Sequence, residues 1–137
     1  MVANIHVVEK IENKQEIQER VVEDFNKKDV DLLDGSAFKE AQDRMLEVLL
    51  AQDDDQMLYN FRAASGLDTK DAPQMIGWDT PDSKLRGHTT GHYLSALALC
   101  YAATGNEKIK EKAVYMIEEL AKCQEAFGKL GTCHKGF

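Results

Sequence analysis

A chain of 137 residues, 43% hydrophobic and 30% charged, has room for one ordinary globular domain. Its net charge of −7 argues against a nucleic-acid footprint, which needs clustered lysines and arginines. No basic start leads into an apolar run, and no stretch approaches the ~20 apolar residues of a membrane span. The composition therefore reads as a cytoplasmic protein with no nucleic-acid and no membrane partner.

Cys100, Cys123 and Cys133 are an odd set without C-x-x-C spacing, which argues against a disulfide framework or a zinc knuckle. Cys100 and Cys123 fall within helical patterns and read as small buried hydrophobes.

Residues 1–35 form an N-terminal segment expected to be largely extended. Its valine pairs, Val7–Val8 and Val21–Val22, flank a charged, Gln-rich run. Short strands near Ile5–Val8 and Arg20–Phe25 are expected; one irregular charged helix is the alternative. Asp34–Gly35 is turn chemistry, and Ser36 can cap the first clear helix, at about residues 37–51. Phe38, Ala41, Met45, Val48 and Leu49 follow helical spacing and read as its apolar stripe. Asp53 to Asp55 end that helix and begin a second, at about 54–64, through Met57, Leu58, Phe61 and Ala64. Gly66 stands where a C-terminal cap belongs.

Residues 67–85 read as a loop without structure of its own, and a loop this long is commonly functional. It holds both prolines and the only tryptophan, Trp78. Trp78 is either a sugar-stacking platform or a packing anchor that pins the loop; tryptophan's usual burial favours the anchor.

A third helix is expected at about 90–103. Tyr93 to Ala103 is almost wholly apolar, the mark of a helix buried on several sides. His88 and His92 stack on one face at its N-terminal mouth, where free N–H groups and the positive dipole end also point outward. That is a place for a neutral polar ligand, or simply a structural helix start. The i, i+4 histidines match zinc spacing, but Thr89 stands where a metalloprotease has its glutamate, Gly91 weakens the helix, and no third ligand is recognisable. No metal is assigned. Arg86 could clamp a carboxylate or hydroxyls, or pair with one of the 24 acids.

Gly105 ends this helix and Asn106 caps the fourth, at about 107–127, whose stripe is Ile109, Ala113, Met116, Ile117, Leu120 and Phe127. The short link makes an antiparallel hairpin. Asp53–Asp55 reads as capping charge and Glu118–Glu119 as surface charge. No phosphate loop or nucleophile elbow is present.

Taken together, LLDGSAFKEAQDRMLEVLL, MLYNFRAASGL, GWD, LRGHTTGHYLSALALCYAATGNEKIKEKA and ELAKCQEAFG resemble, in order, the opening of the β-L-arabinofuranosidase-like glycoside hydrolases. The resemblance covers roughly Val21 to Leu130, and the RGHxxGHYLSAL run is its most specific part. It implies an all-α fold, a partial (α/α)6 toroid of about four helices in antiparallel hairpins spanning residues 36–127. It also implies a retaining mechanism with a zinc-held cysteine thiolate as nucleophile and a glutamate as acid/base. None of those residues is matched here, and Cys100, Cys123 and Cys133 do not stand in for them. No cofactor is therefore expected on this chain; the implied zinc belongs to a later part of the family's sequence. By the resemblance His88 and His92 line the sugar pocket, with Trp78 and Arg86 as weaker substrate-binding candidates.

Residues 128–137 are expected to be irregular. GKLG is followed by Thr132-Cys-His where the family's text is closer to Tyr-Leu-Ser, and the codons for Gly-Thr-Cys-His can yield Tyr-Leu-Ser one base out of register. The expectation is a frameshift over the last six or so residues. The reading is thus an N-terminal piece of a glycoside hydrolase, inactive alone, with an arabinose-containing glycoside as its carbohydrate partner. A non-catalytic helical module that binds sugar or protein is the rival. Four helices cannot close a ring, so a homodimer through the third or fourth helix is expected.

Overall fold

The computed structural model describes residues 30–128. Within them lie α1 (Ala37–Ala51), α2 (Asp54–Ser65), α3 (His88–Thr104) and α4 (Glu107–Phe127), with a 3-10 turn at Gly77–Asp79. The fold is all-α, with no strand among the described residues, as befits part of an (α/α) toroid. The strands expected near Ile5–Val8 and Arg20–Phe25, and the tail beyond Gly128, lie outside the described residues.

Local chemistry sets the helix ends. The Ser36 hydroxyl accepts from the Lys39 amide at 3.2 Å. The Asp53 carboxylate accepts from the amides of Asp55 (2.9 Å) and Gln56 (3.2 Å). Asn106 does the same for Lys108 and Ile109. Each satisfies N–H groups that a helix start leaves bare. Gly66 closes α2 in the left-handed region (φ 72°), which lets the Leu67 amide return to the Arg62 carbonyl at 2.9 Å.

Helix α4 is the centre of the packing. The link Gly105–Asn106 folds it back along α3, and α2 lies against it as well. Their shared core holds Leu49, Met57, Leu58, Met75, Tyr93, Leu97, Ile109 and Met116. Burying a side chain such as Leu58 or Leu97 contributes about 1.5–3 kcal/mol. The junction of α1 and α2 is fixed from both hairpin helices. The buried Tyr93 hydroxyl donates to Asp54 at 2.7 Å, and Lys112 reaches the Gln52 carbonyl at 2.8 Å and Asp54 at 2.9 Å. Burial first, and then the Asp54 hydrogen bond, push the Tyr93 phenol well above its ordinary pKa.

Four readings of the sequence need correction. Of the expected α1 stripe only Leu49 packs inward, with Leu46 and Leu50 beside it; Phe38 (77% exposed), Ala41, Met45 and Val48 face solvent. Helix α1 is apolar on two faces, and its neighbours cover the other one. In α4, Ile117 is 59% exposed, whereas Cys123 is fully buried, as its helical pattern suggested. Helix α3 is covered on one side, by Thr90, Tyr93 and Leu97, whereas Leu99 is 52% exposed.

The fourth correction concerns charge. Glu119, read as surface, is 8% exposed and sits in an ion cluster between α2 and α4. Its Oε2 accepts from Arg62 Nε at 3.1 Å and Nη2 at 2.5 Å, and Lys122 reaches Oε1 at 2.6 Å. Arg62 Nη1 lies 2.8 Å from Asp55, and the Tyr115 hydroxyl bridges Arg62, Lys70 and Asp55. The Lys122 hydrogen bond, then Arg62, hold the Glu119 carboxyl down at about 2, against the desolvation that would raise it. Asp55 is also low: desolvation pushes it up, but Tyr115, Arg62 and Lys70 outweigh it. Asp55 is thus more than a capping charge.

Candidate functional site

The mouth of α3 is built from three segments. The loop between α2 and α3 is not featureless: Met75 enters the core, and Gly77-Trp78-Asp79 forms a 3-10 turn. Gly77 adopts φ 64°, a left-handed conformation that glycine takes without strain, and this aims the turn at α3. Asp79 is buried at 1% exposure, and its carboxylate is the cap of α3. It accepts from the amides of Gly87 and of Thr89 (3.0 Å) and from the Thr89 hydroxyl.

Gly87 has no side chain with which to cap the helix itself, so the acid arrives from eight residues upstream. This explains why α3 starts at His88, two residues before the expected boundary. It also corrects the picture of a mouth whose N–H groups point freely outward. A protein carboxylate already occupies the positive end of the dipole.

The same turn is tied to the rest of the fold. Asn60 on α2 donates to the Asp79 carbonyl at 2.6 Å. Thr90 on α3 donates to the Met57 carbonyl at 2.8 Å. Both hydrogen bonds are buried, and they lock the turn and the start of α3 onto one helix.

Three of the four residues singled out in the sequence come together on this frame. The His88 and His92 rings meet edge to face, centroids 4.5 Å apart at 76°. The Trp78 ring lies 6.3 Å from His88 at 53°. All three rings are exposed, and Trp78 is 71% exposed. Trp78 is therefore no packing anchor; Met75 and Asp79 fix the loop. Arg86 is half-buried, and its Nη1 donates to the Pro81 carbonyl at 2.8 Å, which turns that nitrogen back on its own loop. Pairing with an acid, the other reading of Arg86, is not what this hydrogen bond provides.

The result is a short row of aromatic and imidazole faces beside a helix start neutralised by Asp79. Such a row offers stacking surface and side-chain nitrogens for hydrogen bonds. Asp79 and Asn60 were missed by sequence reasoning; the one signal was the acid two positions after Gly77 in a loop followed by an uncapped helix.

The residues described do not assemble the zinc site implied by the resemblance. Among them no three His, Cys, Asp or Glu side chains converge on a point that could hold a metal. Among the described residues His88 and His92 are a pair without a third donor.

The described residues thus form an all-α array of packed helices with an exposed tryptophan and histidine row at one helix mouth. The family model described as the β-L-arabinofuranosidase, GH127 catalytic domain matches residues 29–137. The chain belongs to that family. The matched span includes residues 129–137, so the match does not set the tail apart from the family. No curated protein matches the chain.

Proposed function

We propose that this chain forms part of the sugar-binding wall of a β-L-arabinofuranosidase-like catalytic domain, with Trp78, His88 and His92 as the surface that meets the glycoside. The observation that carries the reading is the ring row: Trp78 against His88, and His88 edge to face with His92, all open to solvent. The Asp79 carboxylate at the helix mouth disfavours an anionic ligand and leaves a neutral, hydroxyl-rich one favoured. Arg86 is a lesser contributor, through the part of its guanidinium not held by Pro81.

Hydrolysis in this family, by the resemblance drawn above, depends on a zinc-held cysteine and a glutamate that no position of these 137 residues matches. The chain alone is therefore proposed to bind sugar without cleaving it, and to need no zinc for folding. Incubation of the purified chain with an aryl β-L-arabinofuranoside tests this. No release of the aryl group is expected, and turnover that co-purifies with the chain would overturn the proposal of inactivity.

We also propose self-association. Leu99 on α3 and Val114 and Ile117 on α4 are exposed, as is the α1 stripe of Phe38, Met45 and Val48. Contiguous apolar surface of a few hundred Å2 is uncommon on a soluble monomer. A second copy that pairs these faces by twofold symmetry is the simplest cover. The rival reading, a non-catalytic binding module, draws its support from the same exposed α1 stripe.

A further inference from the structure

We infer that Asp79 is a positioning residue for the sugar wall: it sets Trp78 against His88 by capping α3 while its own backbone is held by Asn60. This inference rests on the sugar-binding reading given above for what the wall is for, but not for the geometry itself.

Without the Asp79 carboxylate, Thr90 still ties α3 to the Met57 carbonyl, but the residues ahead of Thr90 lose their cap. His88 and His92 are carried by the first turn and a half of α3, the part of a helix most prone to fray. The residue before it, Gly87, sits at φ 91° and supplies no side-chain acceptor. Gly91 inside that turn weakens it further. Trp78 is on a separate loop and is 71% exposed, so burial of the indole holds little of it in place. Neither the Trp78 ring nor the His88 ring is held rigid by its own means.

Asp79 supplies rigidity to both sides. It follows Trp78 directly in the chain, so wherever Asp79 is fixed the backbone that carries the indole is fixed within one residue. Its carboxylate takes the Gly87 and Thr89 amides, which bracket His88, together with the Thr89 hydroxyl. Its carbonyl takes the Asn60 side-chain amide at 2.6 Å. One buried residue thus joins the loop that carries Trp78, the turn that carries His88, and α2. Charged acceptors at a helix start are among the stronger hydrogen bonds available, and this one is out of water.

The Arg62 cluster, on the other face of α2, has no part in this arrangement. Loss of Asp79 should therefore leave the α2–α4 packing standing and release the ring row.

The test is made on the whole chain with Asp79→Ala, Asp79→Asn and Asn60→Ala. The direct readout is the set of nuclear Overhauser cross-peaks between the Trp78 indole and the His88 imidazole. Helix content and the urea midpoint report the rest of the fold, and titration with methyl β-L-arabinofuranoside reports binding. In Asp79→Ala, the indole–imidazole cross-peaks should vanish and the response to the sugar should weaken at least tenfold, with helix content kept. Asp79→Asn should recover part of the cross-peak intensity, because Asn keeps one acceptor oxygen for Thr89. Asn60→Ala leaves the carboxylate intact and should weaken the cross-peaks less; with Asp79→Asn it decides the matter if Asp79→Ala does not fold.

Cross-peaks that persist in every variant, or that fade only in step with global unfolding, would overturn the inference. If the cross-peaks vanish in the variants while the wild-type chain ignores the sugar, the positioning role stands and the sugar-binding reading is overturned instead.

Discussion

Arg62 on α2 and Glu119 on α4, 57 positions apart in sequence, are joined through one carboxylate oxygen by the arginine's Nε and Nη2. The pair is almost wholly out of water, and Asp55, Tyr115, Lys70 and Lys122 complete its polar surroundings. It is the polar staple between the two helices, set beside the apolar seam of Leu58 and Met116. Removing one partner of such a pair leaves the other buried and uncompensated. Arg62→Ala should lower the unfolding free energy by about 3–5 kcal/mol. Urea unfolding monitored by circular dichroism measures it.

The same cluster sets a pH dependence. Glu119 titrates at about 2 in the folded chain, below the ordinary value of 4.5, chiefly through Lys122 and Arg62. Because the folded-state value is the lower one, the unfolded chain takes up the proton first as pH falls. The stability it contributes is complete above the ordinary carboxylate value and drains away as pH falls towards 2. Asp55 is shifted in the same direction and adds to the loss. Thermal midpoints should fall between about pH 5 and pH 2, and Glu119→Gln should flatten that fall.

A smaller effect is expected at the α3–α4 turn. Gly105 adopts φ 62°, and the site of a Cβ there is open space, so a substitution meets strain without a clash. Gly105→Ala should cost about 1 kcal/mol. A matched Ala at Gly91, which is helical, has no neighbour in the way either and should stabilise by a comparable amount. Opposite shifts of the urea midpoint for the two variants would verify the assignment.

Self-association is tested by light scattering. A dimer at tens of micromolar is expected, and Leu99→Lys with Ile117→Lys should return it to a monomer without loss of helix. A wild-type chain that stays monomeric at that concentration would contradict the proposed cover for these faces.

What could be read in the sequence was what is local. Ser36, Asp53 and Asn106 cap residues two or three positions away, and Gly66 and Gly105 end the helices before them. Such signals lie within a few letters of each other. The face of α1 that would be covered was only partly legible: Leu49 was read as apolar stripe and is buried, but Phe38, Met45 and Val48 compete with Leu46 and Leu50 at equally good spacing. Arg62 and Glu119 were illegible for another reason: an acid and a base far apart in sequence carry no sign that the chain will bring them together. At the site, His88 and His92 were evident from spacing, whereas Asp79 looked like any loop acid. Its role depends on a turn that only the folded loop provides.

If the mouth of α3 meets a neutral sugar, the three rings must report it. The most direct measurement is a two-dimensional nuclear magnetic resonance titration of the chain with methyl β-L-arabinofuranoside. Saturable shifts are expected at the Trp78 indole and at the His88 and His92 imidazoles, with the Arg62–Glu119 region unmoved. Shifts that do not saturate, or that fall elsewhere while the three rings stay silent, would contradict it.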